Sequence, residues 1–312
     1  MPIRPADHGI FASAAGALQP VAAYFGGGFT NVLTTVVDKI AFADDSKTSL
    51  GTGLSSARYQ LGGAANSGVA GYFAGGGTYS SVTTVDKFAF PGDSRTTLGT
   101  GLSAAIQSLA GAANSGVAGY FAGGYTYTDV VDKIAFPADS RTTLGTGLSV
   151  ARSKLAGAAD SGVAGYFAGG DTGSYSDVVD KFAFPGDGRS TLGTGLSSAR
   201  QHLAGFANSG VAGYFGGGWL GSRVTTVDKF AFPGDSRSTL GTGLAVGLSA
   251  LAGAANSGTA GYFGGGTTGS GVDTIYKFAF PGDSRTTLSA VLSGGGYSSR
   301  TDCAGLADSG TL

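Results

Sequence analysis

The sequence predicts an all-β fold: six blades of four antiparallel strands set as a β-propeller, its ring closed by the C-terminal strand. Three observations predict it. The phrase Tyr-Phe-(Ala/Gly)-Gly-Gly recurs with its tyrosine at Tyr24, Tyr72, Tyr120, Tyr166, Tyr214 and Tyr262, in steps of 48, 48, 46, 48 and 48 residues. A second phrase keeps step, its lysine at Lys39, Lys87, Lys133, Lys181, Lys229 and Lys277, inside runs such as Val85-Asp86-Lys87-Phe88-Ala89-Phe90. A third, Leu-Gly-Thr-Gly-Leu, follows in five copies and is degraded in the sixth to Leu288-Ser289-Ala290-Val291-Leu292. Periods of roughly 40–50 residues mark propellers, solenoids or arrays.

Within one unit, Leu109 to Ser115 reads as a first strand of small residues. Asn114-Ser115-Gly116 is a hairpin turn, because Asn and Gly accept the positive φ a tight turn needs. Val117 to Ala122 is a second strand, stopped by Gly123-Gly124. A variable stretch, Tyr125 to Thr128, leads to a third strand over Val130 to Phe136. Pro137 to Arg141 is a turn, since Pro cannot donate to a ladder and Asp bonds its own backbone. Thr142 to Leu148 reads as a fourth strand, and Ser149 to Lys154 returns to the next unit. No segment carries a helical period with caps. The Ala- and Gly-rich first strand suits the central channel, where large side chains would collide. The Tyr, Phe, Val and Ile of the second and third strands then fill the space between blades.

Composition narrows the function. Gly is 59 of 312 residues without a three-residue period, and charged residues are only 12%, so the chain is neither collagen-like nor a charged disordered one. A net charge of -1 leaves no footprint for nucleic acid, and the apolar runs are too short to insert in a membrane. The lone Cys303 excludes a disulfide framework within one chain and reads as a buried structural thiol.

The order of phrases resembles kelch-type propellers. Those blades carry a small apolar strand, a Tyr-containing strand ending in Gly-Gly, a Val-x-x-Phe-Asp-like strand, a turn, and an Arg near the close. Here these are Tyr72, Gly75-Gly76, Val85 to Phe90, and Arg58, Arg152, Arg200 and Arg300. The resemblance spans roughly residues 13–312, and departs where the family's fourth-strand Trp is Leu98, Leu144 or Leu192. The turn Asp93 to Leu98 also looks like a weakened sialidase Asp-box without its Gly and Trp. Both likenesses imply a propeller and neither implies a function, because propellers host many.

The first strand has one candidate too many. Cys303 to Gly310 repeats Leu251 to Gly258, and the chain stops where the next Tyr-Phe strand would start. The C-terminal segment is therefore expected beside the strand of Tyr24, closing the ring and removing exposed edges. This divides the chain into an N-terminal extension, residues 1–20, and a propeller, residues 21–312. The alternative makes Ser13 to Leu18 the first strand and leaves the C-terminus as an extra edge.

The inventory for catalysis is poor. All 20 acidic residues are Asp, and the two His are His8 and His202. Asp38, Asp86, Asp132, Asp180 and Asp228 recur by blade, as do Asp93, Asp139 and Asp187, and a residue demanded in every blade reads as structural. No His/Cys cluster or calcium-loop spacing is present, and the glycine runs lead to strands rather than to a phosphate-binding helix. No cofactor, no metal and no enzymatic activity are expected.

Differences among the copies locate the surface that was free to change. The loop from second to third strand varies at Phe29, Asn31, Tyr79, Tyr125, Tyr127, Tyr175, Trp219 and Arg223. The loop from fourth to next first strand varies at Tyr59, Gln107, Lys154, His202 and Ala250. In an up-and-down blade these two loop types emerge on one end of the disc. Aromatics among amides and charges suit sugars or a protein partner, although loops also drift freely.

Strongly self-similar, Gly-rich kelch-like arrays are similar to those of bacteriophage structural proteins, including tail-associated adhesins and capsid-surface proteins. That resemblance implies a non-enzymatic module on a virion surface, expected as a homo-oligomer or multi-copy assembly. Its residues 1–20 would attach to other virion proteins, and its variable face would meet host glycan or a neighbouring protein. A bacterial cell-surface lectin or matrix protein is the alternative, and a sialidase-type propeller enzyme the third reading.

Overall fold

The computed structural model describes residues 22–294 and 299–307. These form six four-stranded antiparallel sheets, with no helix among the described residues. The structure is a six-bladed β-propeller. Blade 1 pairs Ala304–Ala307, Ala22–Gly26, Val37–Ala41 and Lys47–Ser49 in that order, so the C-terminal strand lies beside Tyr24 and closes the ring. Tyr24 faces Leu306 across that seam. The extension over residues 1–20, the alternative first strand Ser13 to Leu18, and the end of the closing phrase lie outside the described residues.

Blade 3 shows why the phrases keep step. Its strands are Ala110–Asn114, Ala118–Ala122, Val131–Ala135 and Ser140–Thr143. Tyr120 is the register partner of Lys133, and the same Tyr–Lys pairing holds in all six blades. Each lysine ammonium lies 5.2–5.6 Å from the centroid of its tyrosine ring. The 46-residue step arises in the loop between these two strands, so the register is untouched.

The second strands are buried along their whole length, and Phe121 and its copies are buried between blades as expected. Each apolar cluster mixes two adjacent blades; one joins Tyr120 and Val131 to Phe167 and Phe182. At the axis the first strands crowd together. A methyl group added to Gly63, Gly111, Gly157, Gly205, Gly253 or Gly305 would strike the backbone carbonyl of the neighbouring blade's glycine, around the full circle. Glycine is required there by close approach of backbones, not by turn conformation.

The fourth strand is shorter than the sequence predicts. In blade 3 it is Ser140–Thr143, and Leu144 to Leu148 leaves the ladder. Leu144 and Leu148 donate to the carbonyls of Val131 and Asp129, and the Gly-Thr-Gly between them bulges outward while Leu148 returns to the core. Blade 6 tests the cause. Its degraded copy has no glycines, and its outer strand runs on as Ser284–Val291. The glycines of Leu-Gly-Thr-Gly-Leu therefore mark a departure from the strand rather than a part of it.

The repeated charged residues join blades. Each Tyr–Lys pair donates to an Asp in the following blade's third-to-fourth turn: Tyr24 and Lys39 to Asp93, Tyr72 and Lys87 to Asp139, and so on round to Tyr262 and Lys277 on Asp45. A second set is fully buried. Arg58, Arg152, Arg200 and Arg300 pair with Asp86, Asp180, Asp228 and Asp38 at 2.6, 2.9, 3.0 and 2.8 Å. These aspartates are structural, in keeping with their recurrence.

Candidate functional site

The two variable loop types meet, as strand direction requires. The backbone of Tyr59 bridges Gly77, Ser153 bridges Asp171, Gln201 bridges Trp219, Ser249 bridges Thr267, and Phe29 bridges Thr301. In blade 3, whose loop is shorter, Tyr125 N donates to Gln107 O instead. The candidate residues thus share one end of the disc. Phe29, Asn31, Tyr79, Tyr125, Tyr127 and Tyr175 are exposed there, while Tyr59, Lys154, His202, Trp219 and Arg223 are half-buried.

The half-buried group is organised rather than loose. Trp219 Nε1 donates to Tyr175 Oη at 3.1 Å, and the Arg223 guanidinium lies 5.0 Å from the Trp219 ring centroid. The indole is therefore held between a phenol and a cation, which fixes its open face. Lys154 Nζ donates to Asp171 Oδ2 at 3.1 Å. A cavity of about 340 Å³ opens between Trp219, Arg223, His202, Ser249 and Asp302. A second, of about 410 Å³, lies under Phe29, Asn31, Val32 and Tyr79. Phe29 and Tyr79 come from neighbouring blades, so the second cavity straddles a blade seam.

The inner edge of this face is a closed hydrogen-bonded ring. Gln60 N donates to Asp302 O, Ser108 N to Gln60 O, Lys154 N to Ser108 O, His202 N to Lys154 O, Ala250 N to His202 O, and Asp302 N to Ala250 O, all at 2.7–2.9 Å. All six residues have φ between 54° and 59°. The left-handed backbone turns each amide round the ring, and mutual hydrogen bonds help hold six non-glycine residues there. Behind them stand Leu61, Leu109, Leu155, Leu203 and Leu251, with Cys303 in the sixth place. The Cys303 thiol is buried, and burial pushes its pKa up to about 11. It packs as a small apolar group, as the sequence reading expects.

The ring displays a different side chain from every blade. Sequence comparison singled out Lys154 and His202 but passed over Asp302 and Asp171, which complete the charge pattern. Asp302 Oδ1 lies 3.9 Å from His202 Nδ1. Aligning the copies on Leu61 through Cys303 puts Asp302 in the same column as His202 and reveals it. Burial holds the His202 imidazole below the usual histidine range, against the pull of Asp302.

The opposite face is nearly constant. Gly116, Gly162, Gly210 and Gly258 each donate a backbone N–H to the side chain of Asn66, Asn114, Asp160 and Asn208 of the preceding blade. The Asn-Ser-Gly turns are kept because their side chains lace neighbouring blades together.

No family model matches the chain, and no curated protein matches it. Among solved structures, the one titled "Structure of YjhT" is similar with a TM-score of 0.67 at 15% identity, covering 87% of this chain and 98% of that chain. At that identity the likeness shows the fold alone, a six-bladed β-propeller.

Proposed function

We propose that this propeller is a non-enzymatic binding module whose variable face takes a surface glycan. We place it, in many copies, on the surface of a bacteriophage virion. The observation that carries the reading is the concentration of difference on one face. Copies that agree almost residue for residue in strands, clasps and the opposite turns disagree where the two loop types are bridged together. Exposed tyrosines and the Trp219 indole offer flat apolar faces beside amides and charges, which suits the alternating CH and OH surfaces of a sugar. The kelch-like order of phrases accords with the phage reading, and residues 1–20 would dock to neighbouring virion proteins. Neither nucleic acid nor membrane insertion belongs to this proposal. Catalysis does not either: apart from Asp132, the recurring aspartates are engaged in clasps and buried pairs, whereas most glycoside hydrolysis uses two carboxylates flanking the scissile bond.

The test is glycan-array binding of the purified protein and of the Trp219→Ala/Tyr125→Ala double variant. The parent should bind a defined subset of glycans. The variant should melt as the parent does and bind about 1–3 kcal/mol more weakly, the size of an aromatic hot spot. A variant that folds and binds like the parent would sink the proposal. Electron microscopy of the native particle should show a disc-shaped appendage; glycan binding without any particle would move the module to a bacterial cell surface.

A further inference from the structure

Beyond that reading, we propose that blade 3 contains a binding site for a guanidinium group, formed where the repeat has lost its own arginine.

The buried arginine stands one residue before the bridge that joins the two loops. Its place is taken by Ile106 in blade 3 and by Leu248 in blade 6. The backbone is unchanged by the exchange. Ile106 O accepts from Gly76 N, as Arg58 O accepts from Gly28 N and Arg152 O from Gly124 N. In blade 6 the acid has gone too, since Tyr276 stands where the other blades have Asp, and both residues are buried. That is a complete exchange of an ion pair for apolar packing. Blade 3 made only half of it, because Asp132 remains.

Asp132 keeps every neutral partner its siblings have. Ser103 donates through N and Oγ to Oδ2 at 2.7 and 2.8 Å, and Thr143 Oγ1 donates to Oδ1 at 2.6 Å. It lacks the inner cation. Asp38, Asp86, Asp180 and Asp228 each have a buried arginine at 2.6–3.0 Å, but among the described residues Asp132 faces only Arg141, at 3.7 Å.

In blade 1 the arginine donates to the carbonyls of Phe25, Gly27 and Val36 besides its Asp. The matching residues of blade 3 are Phe121, Gly123, Val130 and Asp132, and all four line one cavity of about 170 Å³. Presented as they are to Arg300 in blade 1, this carboxylate and these three carbonyls would match the planar fork of a guanidinium better than the point charge of an ammonium. Ile106 borders this space but presents no donor to it.

A second departure opens the same place. In blade 3 Lys133 follows Tyr120 by 13 positions, where in blade 2 Lys87 follows Tyr72 by 15. The shortened loop makes no bridge of the kind that Gly77 and Ser81 make in blade 2. Its Thr126 and Thr128 line the cavity, and Tyr125 and Tyr127 stand exposed beside them. Lost arginine and shortened loop coincide in one blade, and together they lead from solvent to Asp132.

The experiment titrates isotopically labelled protein with ethylguanidinium chloride and follows backbone amide shifts, with sodium chloride as the ionic-strength control. Saturable shifts centred on Ser103, Gly123 and Asp132 are expected, and ethylammonium should bind at least fivefold more weakly. Ile106→Arg supplies the group from within and should abolish the response while raising the melting temperature. Asp132→Asn should weaken binding at least tenfold; should either variant misfold, the other decides. A capped Gly-Arg-Gly peptide binding more tightly than ethylguanidinium assigns the site to a partner's arginine, and equal binding assigns it to a free small guanidinium. No saturable shift in the parent, or an Ile106→Arg protein that responds like the parent, overturns the proposal.

Discussion

Tyr120 Oη donates a 2.7 Å hydrogen bond to Asp187 Oδ1, although Asp187 belongs to the next blade. The other carboxylate oxygen takes Lys133 Nζ at 2.7 Å. One turn residue thus ties down both cross-strand partners of the blade before it. Asp187 also has a φ of 57°, a left-handed conformation that Asp tolerates better than Ala. Asp187→Ala should therefore cost about 2–4 kcal/mol, combining an orphaned phenol with backbone strain. Asp187→Asn keeps the acceptor and the tolerance for positive φ, and should cost clearly less. Chemical denaturation of the two variants checks this; equal losses would mean the clasp contributes nothing beyond the charge.

The same clasps make the propeller sensitive to alkali. Burial, together with the acceptor Asp, pushes the phenols of Tyr72, Tyr120, Tyr166, Tyr214 and Tyr262 well above the usual tyrosine range. The folded chain therefore holds these protons where the unfolded chain releases them. Stability is fully present below about pH 10 and falls as pH rises above it, by up to about 1.4 kcal/mol per pH unit for each phenol. Tyrosinate absorbance should rise together with the loss of folded structure as pH increases. Smooth titration of these phenols in a folded protein would contradict the burial.

The closing seam includes one short strand and a buried ion pair. Deleting residues 300–312 removes Ala304–Ala307 from its place beside Ala22–Gly26 and strips Arg300 from the buried Asp38. An uncompensated buried charge alone costs about 3–5 kcal/mol. The truncated protein should melt far below the parent and expose sheet edges prone to association. An unchanged melting temperature would show that the seam is dispensable.

The glycine circle at the axis predicts a sharp contrast between two alanine substitutions. Gly157→Ala drives a methyl into the Gly111 carbonyl and should cost at least about 1–3 kcal/mol as overpacking. Gly145→Ala meets nothing within 4 Å and should stay within about 0.5 kcal/mol of the parent. Paired thermal melts decide it.

Much of the fold was legible along the chain. Three phrases repeated about every 48 residues, alternating with turn signals, determined the number of blades, the order of strands and the closing seam. The side-chain period of a strand and the turn chemistry of Asn, Gly, Pro and Asp are local properties, so they can be read locally. Even the shared face of the variable loops followed from strand direction. One local reading differs from the structure: Leu-Gly-Thr-Gly-Leu reads as part of the fourth strand. Its glycines instead let the chain leave the ladder between the two leucines.

The sequence by itself determined a six-bladed ring with one variable and one nearly constant face. Only the tertiary structure decided what the repeated charges do, since Tyr120 meets an Asp 67 residues away and Tyr262 meets one 217 residues away. Only it showed the backbone ring that sets Asp302 beside His202, and the cavity left by pairing Ile106 with a retained Asp132. The physical reason is common to these cases. Each contact crosses a blade seam or a loop junction, and closure of the ring determines which residues meet there.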